Sequence, residues 1–116
     1  MASLPEQMRD RTKQFALRIV RLFRFLPRGP EAQVMGKQVL RSGTSVAANY
    51  RAVCRARSSA EFLAKMGIVI EEADETVFWL ELLVESGIVR PKKMEKLLKE
   101  AHELLAIFAA SAQTAR

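Results

Sequence analysis

Apolar residues recur at three- and four-residue steps along nearly the whole chain, in four runs separated by breaks rich in Pro, Gly or Ser. That period is the signature of amphipathic α-helices. The longest run lies between Ser58 and Gly87. Phe62, Met66, Val69, Ala73, Val77, Leu80 and Val84 form one stripe along it. Ser58 followed by Glu61 reads as a capping box at its start. Gly87 supplies the left-handed residue that closes a helix, with Ile88 placed for the accompanying apolar contact. No Pro interrupts the run, so a helix of about 40 Å is predicted here.

This central helix is apolar on a second side as well. Ile68, Phe78, Trp79, Leu82 and Leu83 lie there, mixed with Glu71, Glu72 and Glu75. A helix apolar on two sides needs two partners. One is the chain's own core; the other is a further helix of that core or a neighbouring subunit. Left uncovered, these side chains form an apolar patch of the kind that marks an interaction site. Ile68, Glu72, Glu75, Phe78, Trp79 and Leu82 are therefore the candidate oligomer interface, with ordinary intrachain packing as the competing reading.

The remaining runs give three more helices. The first spans about 5–26, opened by Pro5 with Ser3 as its cap, and buries Met8, Thr12, Phe15, Ile19, Leu22, Phe23 and Leu26. Pro27, Gly29 and Pro30 force a turn. The second spans about 31–56 and buries Gly36, Val39, Gly43, Val46, Ala47, Tyr50 and Cys54. Glycines seven apart on one face allow a partner helix to approach closely. The Ser/Gly/Thr density at Arg41–Ser45 is poor helix material and is expected to allow a kink. After the third helix at 59–86, Pro91 opens a fourth over 91–113, with Met94, Leu97, Leu98, Ala101, Leu104, Leu105, Phe108 and Ala112 as its seam. Its end, from Ala109, is expected to fray. No strand and no internal repeat is evident. The expected fold is all-α: a single domain over 1–116, folded as an antiparallel up-down-up-down four-helix bundle.

Composition changes this picture in one respect. At 116 residues with 28% charged side chains, the chain is an ordinary globular domain rather than a disordered one. Its net charge of +6 is unevenly placed. Residues 1–57 hold twelve Lys and Arg against Glu6, Asp10 and Glu31, a net of +9. Residues 58–116 hold seven against ten, a net of −3. Arg11, Arg18, Arg21, Arg24 and Arg28, with Lys37, Arg41, Arg51, Arg55 and Arg57, are the candidate phosphate contacts. Such contacts release counterions, so binding is salt-dependent and largely indifferent to sequence. The bland alternative is a solvated face that keeps the protein soluble. No aromatic residue interleaves these arginines in a stacking pattern, which argues against sequence reading of single strands. Lys92, Lys93, Lys96 and Lys99 crowd the first turns of the fourth helix, where cations oppose the macrodipole; they serve something other than helix stability.

Other chemistry is thinly represented. Glu71, Glu72, Asp74 and Glu75 with His102 invite comparison with diiron bundles, but the chain has one His and no Glu-x-x-His. Pairing of these carboxylates with arginines of the first two helices is the better reading. His102 reads as a packed boundary residue, and Cys54 as core rather than nucleophile. Ser42, Ser45 and Asn49 are expected to bond across a helix interface or back to carbonyls. No phosphate loop or nucleophile elbow is present, so no enzyme activity, cofactor or metal is expected. The polar segment Met1–Lys13 lacks the apolar core of a signal peptide, no run is long enough to span a membrane, and a cytoplasmic setting is expected.

Several stretches resemble the four-helix-bundle proteins encoded in intervening sequences of 23S ribosomal RNA genes, and the related accessory variability determinant proteins of diversity-generating retroelements. The resemblance covers nearly the whole chain. Leu26-Pro27 carries it at the first turn, Arg41-Ser42-Gly43-Thr44-Ser45-Val46-Ala47-Ala48-Asn49-Tyr50-Arg51-Ala52 on the second helix, and Phe62–Leu83 on the third. Within the last, Glu72-Ala73-Asp74-Glu75-Thr76 and Trp79-Leu80-Glu81-Leu82 are the telling pieces. Many relatives read isoleucine-alanine-glutamate-glycine after the Asn; Tyr50-Arg51-Ala52-Val53 stands here instead, a basic variant. The resemblance implies a non-enzymatic homo-oligomer, a ring-like pentamer. In the retroelement branch it implies binding to RNA or DNA and to a reverse transcriptase. An adaptor whose basic face meets an acidic protein is the alternative.

Overall fold

Ser3 and Glu6 cap the first helix reciprocally: the Ser3 hydroxyl accepts from the Glu6 amide at 3.3 Å, and the Glu6 carboxylate accepts from the Ser3 amide at 3.3 Å. The computed structural model describes residues 3–116; Met1 and Ala2, which begin the polar N-terminal segment, lie outside the described residues. Four helices follow: α1 (Leu4–Phe25), α2 (Pro30–Cys54), α3 (Ser59–Glu85) and α4 (Pro91–Ala115). Each differs from its expected bounds by no more than two residues, within the ordinary fraying of helix ends.

The ends of α3 behave as two different devices. The Ser58 hydroxyl accepts from the Glu61 amide at 3.1 Å, but the Glu61 carboxylate accepts from the Arg57 amide at 3.5 Å instead of closing back on Ser58. The full capping box is therefore on α1, and only half of one stands at Ser58. At the other end Gly87 takes φ +83°. The Ile88 amide then reaches the Leu83 carbonyl and the Gly87 amide the Val84 carbonyl, a Schellman closure.

α1 packs on α2, α2 on α3 and α3 on α4, an up-down-up-down bundle in which α1 and α4 meet only slightly. Phe15, Ile19, Val39, Val46, Met66, Val69, Leu80, Leu83, Met94, Leu104 and Phe108 make the buried centre. Leu83 belongs to this centre and not to the outer side of α3 where the sequence pattern put it. It stands one turn beyond Leu80 and two beyond Thr76, both buried, so the inward stripe is wider than the periodicity alone implies.

The α1–α2 contact depends on absent side chains. A Cβ on Gly43 would lie 2.7 Å from Ile19 Cγ1, and one on Gly36 2.7 Å from Leu26 Cδ1. α2 also runs as one continuous helix through Arg41–Ser45. Its polar side chains are absorbed locally: the Thr44 hydroxyl donates to the Leu40 carbonyl at 2.7 Å, and the Asn49 side-chain amide to the Ser45 carbonyl at 2.9 Å. Ser42 is fully buried and accepts from the Thr76 hydroxyl of α3 at 3.0 Å. α4 continues to Ala115 where fraying was expected, because Phe108 and Ala112 hold its last turns in the core.

Candidate functional site

Two of the ten predicted phosphate contacts are engaged within the fold. Arg11 donates to Glu100 through Nε at 2.8 Å and Nη2 at 2.6 Å, with Glu103 at 3.8 Å. That hydrogen-bonded pairing holds the Glu100 carboxyl below its usual range, with a further pull from Arg18. Arg41 bridges two acidic residues of α3, reaching Glu72 at 3.2 Å and donating to Glu75 as well. The Trp79 indole N–H also donates to Glu75 at 3.0 Å; this bond first, and Arg41 second, lowers the Glu75 pKa. Glu72 and Glu75 of α3 thus pair with an arginine of α2, as the segregation of charge in sequence suggested, while Glu71 and Asp74 make no ion pair among the described residues.

The other eight predicted contacts make no ion pair among the described residues and fall into two groups. Arg18 and Arg21 line a cleft of about 780 Å³ where the C-terminal half of α1 passes the N-terminal turns of α4. Arg90, Lys93 and Lys96 line the same cleft from the far side. Leu22, Leu26, Met94 and Leu97 give it an apolar floor, and among the described residues no carboxylate lines it. Arg24, Arg28 and Lys37 stand around the same end of the bundle, on the last turn of α1, the link after it and the first turns of α2. Arg51, Arg55 and Arg57 stand at the opposite end, where α2 turns into α3.

Arg90, Lys93 and Lys96 were absent from the predicted site. The signal for the two lysines was legible as cations crowding a helix start against the macrodipole. Antiparallel topology supplies the rest, since it places the end of α1 beside the start of α4. Phe25 was missed too. It is 77% exposed, it lines the cleft, and the Lys93 ammonium lies 5.1 Å from its ring centroid.

The candidate subunit surface on α3 divides in the same way. Ile68 is 45% and Phe78 52% exposed, while Trp79 and Leu82 are partly buried against the chain's own core. Phe78 meets the Trp79 ring edge-on, with centroids 4.9 Å apart and planes at 73°. Glu72 and Glu75 on this side are held by Arg41.

His102 is exposed, 4.0 Å from Glu81, and not packed at the boundary of the seam as expected. Its side chain faces Glu81 of α3 and solvent instead of the core. Cys54 is half-buried beside Tyr50, whose hydroxyl is pushed up to about 12, chiefly by burial. Among the described residues no three His, Cys, Asp or Glu side chains converge as a metal-binding group. Among them, too, no helix is long and apolar enough to cross a membrane.

Residues 6–110 match the model of a family described as 23S rRNA-intervening sequence protein. The chain belongs to that family. The intervening-sequence chain is also similar to a solved structure from Bacteroides thetaiotaomicron, described as a protein with unknown function from the S23 ribosomal protein family. The two share 36% identity with a TM-score of 0.86, over 94% of this chain and 97% of the other. The four-helix architecture of this intervening-sequence protein is therefore that of a solved relative. A comparison with curated proteins gives no match.

Proposed function

We propose that this intervening-sequence protein is a non-enzymatic, oligomeric scaffold that binds RNA or DNA through cations at the end of the bundle where α1 meets α4. The observation that carries this reading is the cleft between those helices, lined by five cations and, among the described residues, no carboxylate. Cations so placed repel one another, and a polyanion relieves that repulsion while releasing its own counterions. Arg24, Arg28 and Lys37 extend the surface along that end; Arg51, Arg55 and Arg57 form a second, smaller cationic group. Arg11 and Arg41, already engaged with carboxylates, contribute structure first.

Self-association rests on α3. Phe78 and Ile68 remain about half exposed in the single chain, on a helix that already spends its other side on the core. On the family resemblance we read the assembly as a ring-like homopentamer, which would present the cationic end once per subunit. The same resemblance suggests a reverse transcriptase as a candidate partner, and the single cysteine fits a reduced, cytoplasmic setting.

Fluorescence anisotropy with a labelled RNA and a labelled DNA across a salt series tests the reading. Binding that weakens linearly on a log–log plot supports it. No affinity for either at low salt refutes it.

A further inference from the structure

We propose that the α1–α4 cleft holds an unpaired nucleotide of a bound strand, its base stacked on Phe25 and its flanking phosphates on Arg18, Arg21, Arg90, Lys93 and Lys96. This deepens the nucleic-acid reading above and rests on it. It also revises the expectation that no aromatic residue stands among the cations.

Phe25 is the most exposed of the large apolar side chains among the described residues, at 77%. Its position at the last residue of α1 is not forced by packing, because Leu26 next to it turns into the core and is buried. The Lys93 ammonium instead lies over the ring, 5.1 Å from its centroid, and the side chain still leaves most of its surface to solvent. An exposed aromatic ring among cations is the arrangement by which proteins hold single strands: bases stack on the ring while the backbone follows the charges.

The cleft discriminates among polyanions. Its floor of Leu22, Leu26, Met94 and Leu97 offers a base no side-chain hydrogen-bond partner, so a base would be held by its face and not read at its edge. Little preference among the four bases follows. A base within a duplex has its faces covered by its neighbours, so duplex binds through the phosphates alone. An acidic amphipathic helix would match the rim charges, but it brings no flat surface to the Phe25 ring.

The test compares a fluorescein-labelled 20-nucleotide oligo-dT, an oligo-dA of equal length, and the duplex of the two. The full-length protein is used in each case. Single strands should bind about tenfold more tightly than duplex at one salt concentration, with the two strands within a few-fold of each other. Phe25→Ala should lower single-strand affinity about tenfold, leave duplex affinity unchanged and leave the salt slope unchanged. Lys93→Gln should lower the slope by about 0.7 for single strands. A 2-aminopurine placed in the oligo-dT should be quenched by the wild type and not by Phe25→Ala. Because the ring is exposed, its removal should leave the thermal melt in place, which a circular-dichroism melt verifies.

Equal loss of duplex and single-strand affinity in Phe25→Ala, or no loss in either, overturns the stacking site while leaving the scaffold reading intact. Absence of binding to any of the three probes overturns both. Displacement of oligo-dT from the cleft by micromolar helical Glu/Leu 20-mer, with oligo-dT itself binding only at millimolar concentration, assigns the cleft to an acidic protein and overturns the proposal.

Discussion

Arg11 of α1 and Glu100 of α4 meet through two hydrogen bonds, at 2.8 and 2.6 Å, across the seam where their helices otherwise make little contact. The pair ties the two helices together, one side chain to another. Being partly exposed, it contributes about 1 kcal/mol rather than the larger value of a dry pair.

The pair predicts a pH dependence with a definite sign. The folded state holds Glu100 below its ordinary value near 4.5, and Glu75 likewise. Their contribution is fully present above that value and disappears as pH falls through the lowered, folded-state pKa. Denaturant midpoints measured from pH 7 down to 2.5 should fall more steeply in the wild type than in Glu100→Gln. An Arg11→Ala, Glu100→Ala double-mutant cycle should give a coupling of about 1 kcal/mol at pH 7 that vanishes at the acid end.

Glycines on helices of the same bundle should respond in opposite directions to the same substitution. A methyl added at Gly67 would meet nothing within 4 Å, so Gly67→Ala should stabilise α3 by up to about 1 kcal/mol through helix propensity. Gly43→Ala would put its methyl 2.7 and 2.9 Å from two carbons of the buried Ile19 side chain. Overpacking of that kind costs about 1–3 kcal/mol and exceeds the propensity gain. Thermal melts of the two variants should therefore move apart, Gly67→Ala upward and Gly43→Ala downward.

Periodicity was enough for the four helices, their order and most of the core. Gly36 and Gly43 also announced a close helix–helix approach, and the structure makes α1 the partner. What periodicity left open was the sorting of side chains that share a helix face with both core and solvent. Trp79 and Phe78 are adjacent in sequence and both aromatic, yet one is tucked against the core and the other stands out. That outcome depends on the rotation of α3 between α2 and α4, which no local pattern encodes. The cleft was missed for a related reason: its two rims lie about seventy residues apart in the chain, and only the bundle's topology brings Arg21 and Lys93 to one place.

Self-association through α3 makes its own prediction. Phe78→Asp with Ile68→Lys changes two exposed side chains that the monomer core does not need. Sedimentation should then show a single subunit of 13.1 kDa where the wild type shows a larger particle, with unchanged helicity. A wild type that already sediments as one subunit at micromolar concentration contradicts the assembly.

The proposed binding of nucleic acid is local to the α1–α4 end and not a response to net positive charge. Two triple variants with equal loss of charge decide between these: Arg21→Gln/Arg90→Gln/Lys96→Gln at the cleft, and Arg51→Gln/Arg55→Gln/Arg57→Gln at the opposite end. Anisotropy titrations at one fixed salt concentration should show the cleft variant weakened at least tenfold more than the other, with the larger fall in salt slope. Equal weakening by the two variants, or none by either, would rule out a localised site.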